Sequence, residues 1–180
     1  MPATRIDTQR LELIAATDAI ARDALRGNEA LGMRLHARVP PEWPPAAMAD
    51  IMAFTAEQLT RCPEQAGWWI WYWVERASSE RVLIGNGGFK GPPNARGMVE
   101  IGYSMLDQYQ NRGYASEAVG SLIAWAFQQP AVLRVEGETY PELAGSIRVM
   151  QKNGMVLGGA GIDPGTLRFG IARSVTHFTI

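Results

Sequence analysis

An apolar run, GWWIWYWV at residues 67–74, is the feature that most limits what this chain can fold into. Its side chains are apolar at odd and even positions alike, so both faces of a strand formed here would have to be buried. Segments 82–90 and 98–106 also have strand character and follow after short charged or Gly-Pro-rich connections. We therefore expect three consecutive strands in an antiparallel meander, with bulges or close backbone approach at the glycines of the second.

The flanking segments alternate between strand and helix periods. Residues 10–15 read as a short strand, and helical spacing follows from Thr17 or Asp18 to Gly27. Residues 28–45 read as irregular, and a helix is expected from Pro45 to Cys62. After the meander we expect a helix, a strand, a helix and two strands: 115–128, 132–139, 146–153 and the chain's last residues. This order predicts an α/β fold, one domain over residues 1–180 with a mixed, mostly antiparallel sheet flanked by helices.

Composition excludes several classes of function. Seventeen Lys and Arg residues against eighteen Asp and Glu residues give a formal net charge of −1, so no nucleic-acid partner is expected. With Cys62 as the one cysteine, and His36 and His177 outside any supporting motif, no disulfide framework and no metal site are expected. The longest uncharged run, 118–133, is too short and polar to span a membrane. We expect a cytoplasmic protein.

The segment from 99 to 127 carries the chemistry. A strand leads through a polar turn into QNRGYA, residues 110–115, and directly into an amphipathic helix. The first N–H groups of a helix lack partners within it and lie at its positive end, so a phosphate group can bind there. The alternative is an ordinary strand-to-helix turn, in which the glycine only relieves a strained backbone conformation. The P-loop pattern does not occur, and Gly-Asn-Gly-Gly at 85–88 is not a dinucleotide fingerprint.

Residues 110–115 also match the Q/R-x-x-G-x-G/A acetyl-CoA loop of the GNAT N-acetyltransferases. The segment TYPELAGSIRVMQKNGM at 139–155, RLEL at 10–13 and WPP at 43–45 resemble the ribosomal-protein alanine acetyltransferase branch. The resemblance implies the GNAT fold, in which strands 98–106 and 132–139 splay apart to form an acyl-CoA cleft. It also implies acetyl-CoA as co-substrate and no metal.

The resemblance assigns donor-binding roles to two short segments. Backbone groups of Ser104, Met105 and Leu106 would bind the pantetheine arm. The pyrophosphate would be held by the backbone of Gln110, Arg112, Gly113, Tyr114 and Ala115.

In this family the amine usually attacks the thioester directly, so the enzyme supplies positioning and a route for the proton. Glu100 is the candidate base, acting directly or through a water, with an ion-pair partner or solvated strand residue as the alternative. Ser146 is the candidate hydrogen-bond donor near the departing thiolate, with a helix cap as the alternative.

Two positions depart from the family pattern. Leu143 stands where many members have a cofactor-binding asparagine, and Met150 stands where many have a tyrosine that acts as the general acid. Tyr103 and Tyr140 are nearby in the sequence but match no motif of the family. The departures favour one alternative, a non-catalytic acyl-CoA-binding or interaction module, whereas the loop and Glu100 favour an N-acetyltransferase. A donor with a larger acyl group is a further alternative.

The acceptor amine stays open among a protein N-terminus, an aminoacyl nucleotide, a polyamine and a drug amine. Residues 28–45 and the adjoining helix would recognise the acceptor, with His36, Glu42 and Trp43 as candidates for its pocket. An exposed last strand, 168–180, is expected to allow a homodimer.

Overall fold

The computed structural model describes residues 3–45, 48–76 and 80–174, which form one eight-stranded sheet and five α-helices. The strands are β1 Arg5–Asp7, β2 Leu11–Ala15, β3 Ile70–Glu75, β4 Val82–Phe89, β5 Met98–Met105, β6 Arg134–Thr139, β7 Val156–Ala160 and β8 Leu167–Ala172. The helices are α1 Asp18–Arg26, α2 Asn28–Leu35, α3 Ala49–Arg61, α4 Tyr114–Gln128 and α5 Ala144–Lys152. None of the helices in these ranges is long and apolar enough to cross a bilayer.

The sheet order is β1-β2-β3-β4-β5-β6-β8-β7, and every neighbouring pair is antiparallel except β5 with β6. This confirms the predicted meander and the mixed, mostly antiparallel sheet. The parallel pairing of β5 with β6 covers only Met98–Glu100 opposite Arg134–Glu136, after which β5 continues against β4 alone. The two strands therefore part after Glu100, as the resemblance implies, and leave a gap in the sheet.

Both faces of the central strands are covered, as the apolar run predicts. Trp71 and Trp73 of β3 pack in a core with α4, while Tyr72 and Val74 point to the opposite face and pack with α1 and α3. The strand begins at Ile70 rather than at residue 67. Gly67 has a φ of 99° and accepts a hydrogen bond from the Trp71 indole at 2.8 Å, which places residues 67–69 in a turn.

The glycines of β4 allow the close approach that the sequence predicts. A Cβ atom at Gly88 would collide with the Trp69 carbonyl, and one at Gly87 with the Trp73 ring and with β5. The register of β3 against β4 also shifts between Trp73 and Val74, which is the expected bulge. The backbone of β4 is therefore pressed against two tryptophans, and only glycine fits there.

Two expectations were wrong. Residues 28–35 form helix α2, because Leu31 and Leu35, one helical turn apart, are both buried in the core under α1. The last described strand is not an edge, since β8 pairs with β6 on one side and β7 on the other. The predicted dimer contact through 168–180 therefore has no free strand over 168–172, and residues 175–180 lie outside the described range.

Candidate functional site

Two cavities meet at the C-terminal half of β5. The first, here called the splay cleft, has a volume of about 840 Å³ and lies between β5, the loop before α4, the start of α4 and helix α5. The second, the helix-side pocket, has about 630 Å³ and lies between α3 and strands β3, β4 and β5. Tyr103 and Ser104 line both cavities. A molecule in each would therefore meet the other at these two residues.

The loop before α4 is shaped for an anion. Asn111 and Gly113 both have a positive φ, of 59° and 84°, and Gly113 is the N-cap residue of α4 without a side chain to cap it. Gly113, Tyr114 and Ala115 line the splay cleft beside the positive end of the helix. Across the cleft, α5 contributes the cationic side chains Arg148 and Lys152 to the lining. The charges and the free backbone therefore fit a phosphorylated ligand.

Arg10, immediately before β2, connects this loop to the sheet. Its Nε donates to Glu117 Oε2 at 2.7 Å, its Nη1 donates to the Arg112 carbonyl at 2.9 Å, and its guanidinium lies 4.4 Å from the centre of the Tyr114 ring. The Tyr114 hydroxyl in turn donates to Glu75 at the end of β3. Sequence reasoning used Arg10 only as part of a motif, because no local pattern shows that residue 10 reaches residues 112 and 117.

Glu117 receives several donors at once. Burial raises the pKa of this carboxyl, but hydrogen bonds from the Thr8 hydroxyl and from the Arg10 amide and guanidinium outweigh burial and hold the pKa below its ordinary value. The carboxylate is therefore the form that the fold stabilises.

The structure places part of the predicted donor-binding backbone in the cleft and part outside it. Leu106 is buried, its N–H donates to the Ile84 carbonyl at 3.0 Å and its carbonyl accepts from Tyr109, so it does not reach the cleft. Backbone polar groups alternate along a strand, so those of Ser104 point to β4, as those of Leu106 do, whereas those of Met105 point toward the gap. The Met105 carbonyl accepts from Gln110 Nε2 at 3.2 Å. The Gln110 N–H is also engaged, with the Asp107 carbonyl at 3.1 Å.

Ser146, in the first turn of α5, does not cap the helix. The N-cap residue is Leu143, with no side-chain cap. Instead, the Tyr103 hydroxyl lies 3.0 Å from Ser146 Oγ and donates to the Ser146 carbonyl at 3.0 Å. Burial raises the pKa of Tyr103, and the Ser146 contact opposes this only in part, so the hydroxyl keeps its proton at neutral pH. The helix position where many family members have tyrosine holds the buried Met150, while Tyr103 brings a hydroxyl in from β5.

Glu100 lies on the opposite face of β5 from Tyr103, the face on which Gly102 lines the helix-side pocket, but Glu100 itself lines neither cavity. Its side chain is 20% exposed and forms an ion pair with Lys90. Lys90 also interacts electrostatically with Glu138 of β6. Burial raises the pKa of Glu138, but donors from Ile162, Thr166 and Asp163, together with Lys90, hold that pKa below its ordinary value. The ion-pair alternative for Glu100 is therefore observed, and the base role stays a prediction.

Of the segments expected to recognise the acceptor, the adjoining helix, α3, lines the helix-side pocket, but the three named candidate residues do not. Trp43 is buried in the core 6.1 Å from the Tyr72 ring, and His36 is the exposed C-cap residue of α2. Neither of them, nor Glu42, lines the helix-side pocket, because α2 and the chain after it pack beneath α1. His177 lies outside the described residues. In the described ranges, no group of three or more His, Cys, Asp or Glu side chains is placed to hold a metal ion.

Comparisons with known proteins agree with this geometry. A family model described as an acetyltransferase (GNAT) domain matches residues 10–156. The chain is 28% identical over 156 residues to the uncharacterized N-acetyltransferase YjdG of Bacillus subtilis (strain 168), covering 84% of this chain and 89% of that protein.

Two solved structures share the fold. A candidate ribosomal-protein-serine acetyltransferase from Vibrio cholerae has a TM-score of 0.67 and 20% identity, over 96% of this chain and 99% of that one. The microcin C7 self-immunity acetyltransferase MccE, in complex with acetyl-CoA and AMP, has a TM-score of 0.62 and 14% identity, over 92% and 94%.

Proposed function

The chain belongs to the GNAT acetyltransferase family and is an acetyl-CoA-dependent N-acyltransferase; from this premise we propose that the splay cleft binds acetyl-CoA and the helix-side pocket binds the amine. The observation that carries the proposal is the meeting of the two cavities at Tyr103 and Ser104. A thioester reaching this point from one side of the sheet faces an amine arriving from the other. We also place the protein in the cytoplasm, where acetyl-CoA is made and used.

The residues present fit the donor. The N-terminal backbone of α4, from Gly113 onward, would hold the pyrophosphate, with Arg148 and Lys152 supplying positive charge from α5. Met105 would bind the pantetheine arm through its backbone N–H, which faces the gap. Leu143 lines the same cleft with an exposed apolar side chain, so it would contact the arm by packing where many relatives use an amide.

The reaction is direct transfer of the acetyl group. The amine nitrogen forms a bond to the thioester carbon, the carbon–sulfur bond breaks, and the electron pair leaves on sulfur. The Tyr103 hydroxyl, held by Ser146, gives its proton to that sulfur and recovers one from solvent. The amine proton passes to Glu100. Glu100 lies about 7 Å along the strand from Gly102 and about 13 Å from Ser104, so the proton travels through water.

Binding of the donor tests the proposal most directly. Isothermal calorimetry with acetyl-CoA, after removal of any bound cofactor, is expected to show saturable binding that Gly145→Leu abolishes. A Cβ at Gly145 meets open space inside the splay cleft, and leucine favours a helix, so the variant fills the cleft without straining α5. Gly113→Val should also lose binding, because Gly113 has a φ of 84° that valine disfavours. Unchanged affinity in both folded variants would refute the donor assignment.

A further inference from the structure

The helix-side pocket has apolar walls. Ile51 and Phe54 of α3 line it with 48% and 51% of their surfaces exposed, although both side chains are apolar. Across from them lie Trp69 and Phe89, and the rings of Phe54 and Trp69 meet edge to face at 5.6 Å. Large exposed apolar side chains that converge on one cavity mark a site for an apolar body.

Charge in the lining is sparse. Among the described residues of the pocket, Asp50 is the one carboxylate and Lys90 the one cation, and Lys90 is paired with Glu100. A polyamine or an aminoglycoside carries several ammonium groups, each of which needs a carboxylate or water when bound. The lining therefore suits a ligand with a single amine.

The floor of the pocket holds an unsatisfied hydrogen-bond acceptor. Asn86 of β4 is 3% exposed, and its amide nitrogen contacts Met48 Sδ at 3.4 Å, while its Oδ1 has no partner among the described residues. Buried polar atoms in folded proteins are nearly always paired, so an unpaired one in a cavity wall indicates a ligand group. Asn86 stands directly opposite Ser104 in the β4–β5 register, beside the point where the two cavities meet.

We infer that the acceptor is a primary monoamine on an aromatic or branched apolar body, with its amine N–H donated to Asn86 Oδ1 and its body packed against the wall formed by Ile51, Phe54 and Trp69. This inference rests on the proposed function, since it names the substrate class of the same site. A cavity of about 630 Å³ is large enough for an arylalkylamine.

The test compares 2-phenylethylamine with spermidine and with an unblocked alanine-first peptide, by release of CoA thiol at fixed acetyl-CoA. We expect kcat/KM for 2-phenylethylamine to exceed both others by at least about tenfold. A higher value for spermidine or the peptide would overturn the inference and leave the proposed function intact. Donor binding with neither turnover nor saturable binding of 2-phenylethylamine would also overturn it. No binding of acetyl-CoA would overturn the proposed function itself, and the inference with it.

Two variants test whether the preference for 2-phenylethylamine depends on the helix-side pocket. A Cβ at Gly102 meets open space, so Gly102→Val fills the pocket and should raise KM for 2-phenylethylamine about tenfold, with the Kd of acetyl-CoA unchanged. Phe54→Glu adds a carboxylate to the exposed wall and should shift preference toward spermidine. Gly158→Val on β7 and Met33→Glu on α2 are matched controls, outside both cavities. Equal effects in the controls and the test variants would contradict the assignment.

Discussion

The Tyr103 hydroxyl of β5 and Ser146 Oγ of α5 lie 3.0 Å apart, joining the two sides of the splay cleft. The residues are 43 positions apart in the chain. Tyr103 also stacks on Trp73, with ring centres 6.5 Å apart. The side chain is therefore held both at its ring and at its hydroxyl. In the proposed mechanism this pair supplies the hydroxyl that the family pattern places on the helix, where Met150 stands here.

Tyr103→Phe should lower kcat by about a hundredfold, because a positioned proton donor contributes that much to a rate, while the Kd of acetyl-CoA changes less than about twofold. Steady-state kinetics and calorimetry would measure the two effects. Ser146→Ala should have a smaller effect, since it only positions the hydroxyl. The matched control is Tyr140→Phe, at an exposed tyrosine. A kcat in Tyr103→Phe equal to that of the control would exclude the role in proton transfer.

The Glu100→Gln variant distinguishes a role of Glu100 as catalytic base from a role only in the ion pair with Lys90. If Glu100 accepts the amine proton, the variant should lose about a hundredfold in kcat/KM. Lys90→Met removes the same ion pair but keeps the carboxylate. We expect Lys90→Met to retain most of the activity; losses of equal size in the two variants would show that Glu100 acts through the ion pair.

Arg10→Gln should loosen the loop that precedes α4. It removes the guanidinium's contacts to Glu117 and the Arg112 carbonyl but keeps the backbone N–H bond to Glu117. The Kd of acetyl-CoA should therefore rise about tenfold, with a stability loss of about 1 kcal/mol for a partly exposed pair. Calorimetry and urea denaturation would measure these quantities. Arg22→Gln, which breaks an exposed ion pair within α1, is the control for general charge effects. Tighter or unchanged donor binding in Arg10→Gln would disprove the positioning role.

Glu117 should make stability depend on pH. Its pKa is lower in the folded protein than the ordinary 4.5, so the carboxylate stabilises the fold above pH 4.5, and this contribution is lost as pH falls through the folded pKa. Glu117→Gln should therefore be less stable than the parent near neutral pH, with the difference shrinking in acid. Urea denaturation of both proteins from about pH 7 to pH 3 would measure it. A difference that is constant with pH would contradict the assignment.

Local pattern was sufficient for most of the elements. The run at 67–74 required a strand buried on both faces, and the structure places Trp71 and Trp73 in one core and Tyr72 in the other. The loop at 110–115 was found because a glycine before a helix is visible in the sequence. Helix α2 was missed because its two buried leucines and its glycine give no clear helical period; its stability comes from packing beneath α1.

Apart from β1 and helix α2, the sequence by itself determined the order of strands and helices and the loop at the start of α4, because these depend on residues close together in the chain. Only the tertiary structure decided which distant side chains meet: Tyr103 with Ser146, Arg10 with Glu117, and Asn86 with an open pocket. Such contacts depend on where β5 and β6 part and on how each helix lies against the sheet. Those positions are set by the summed packing of both cores, which no local pattern encodes.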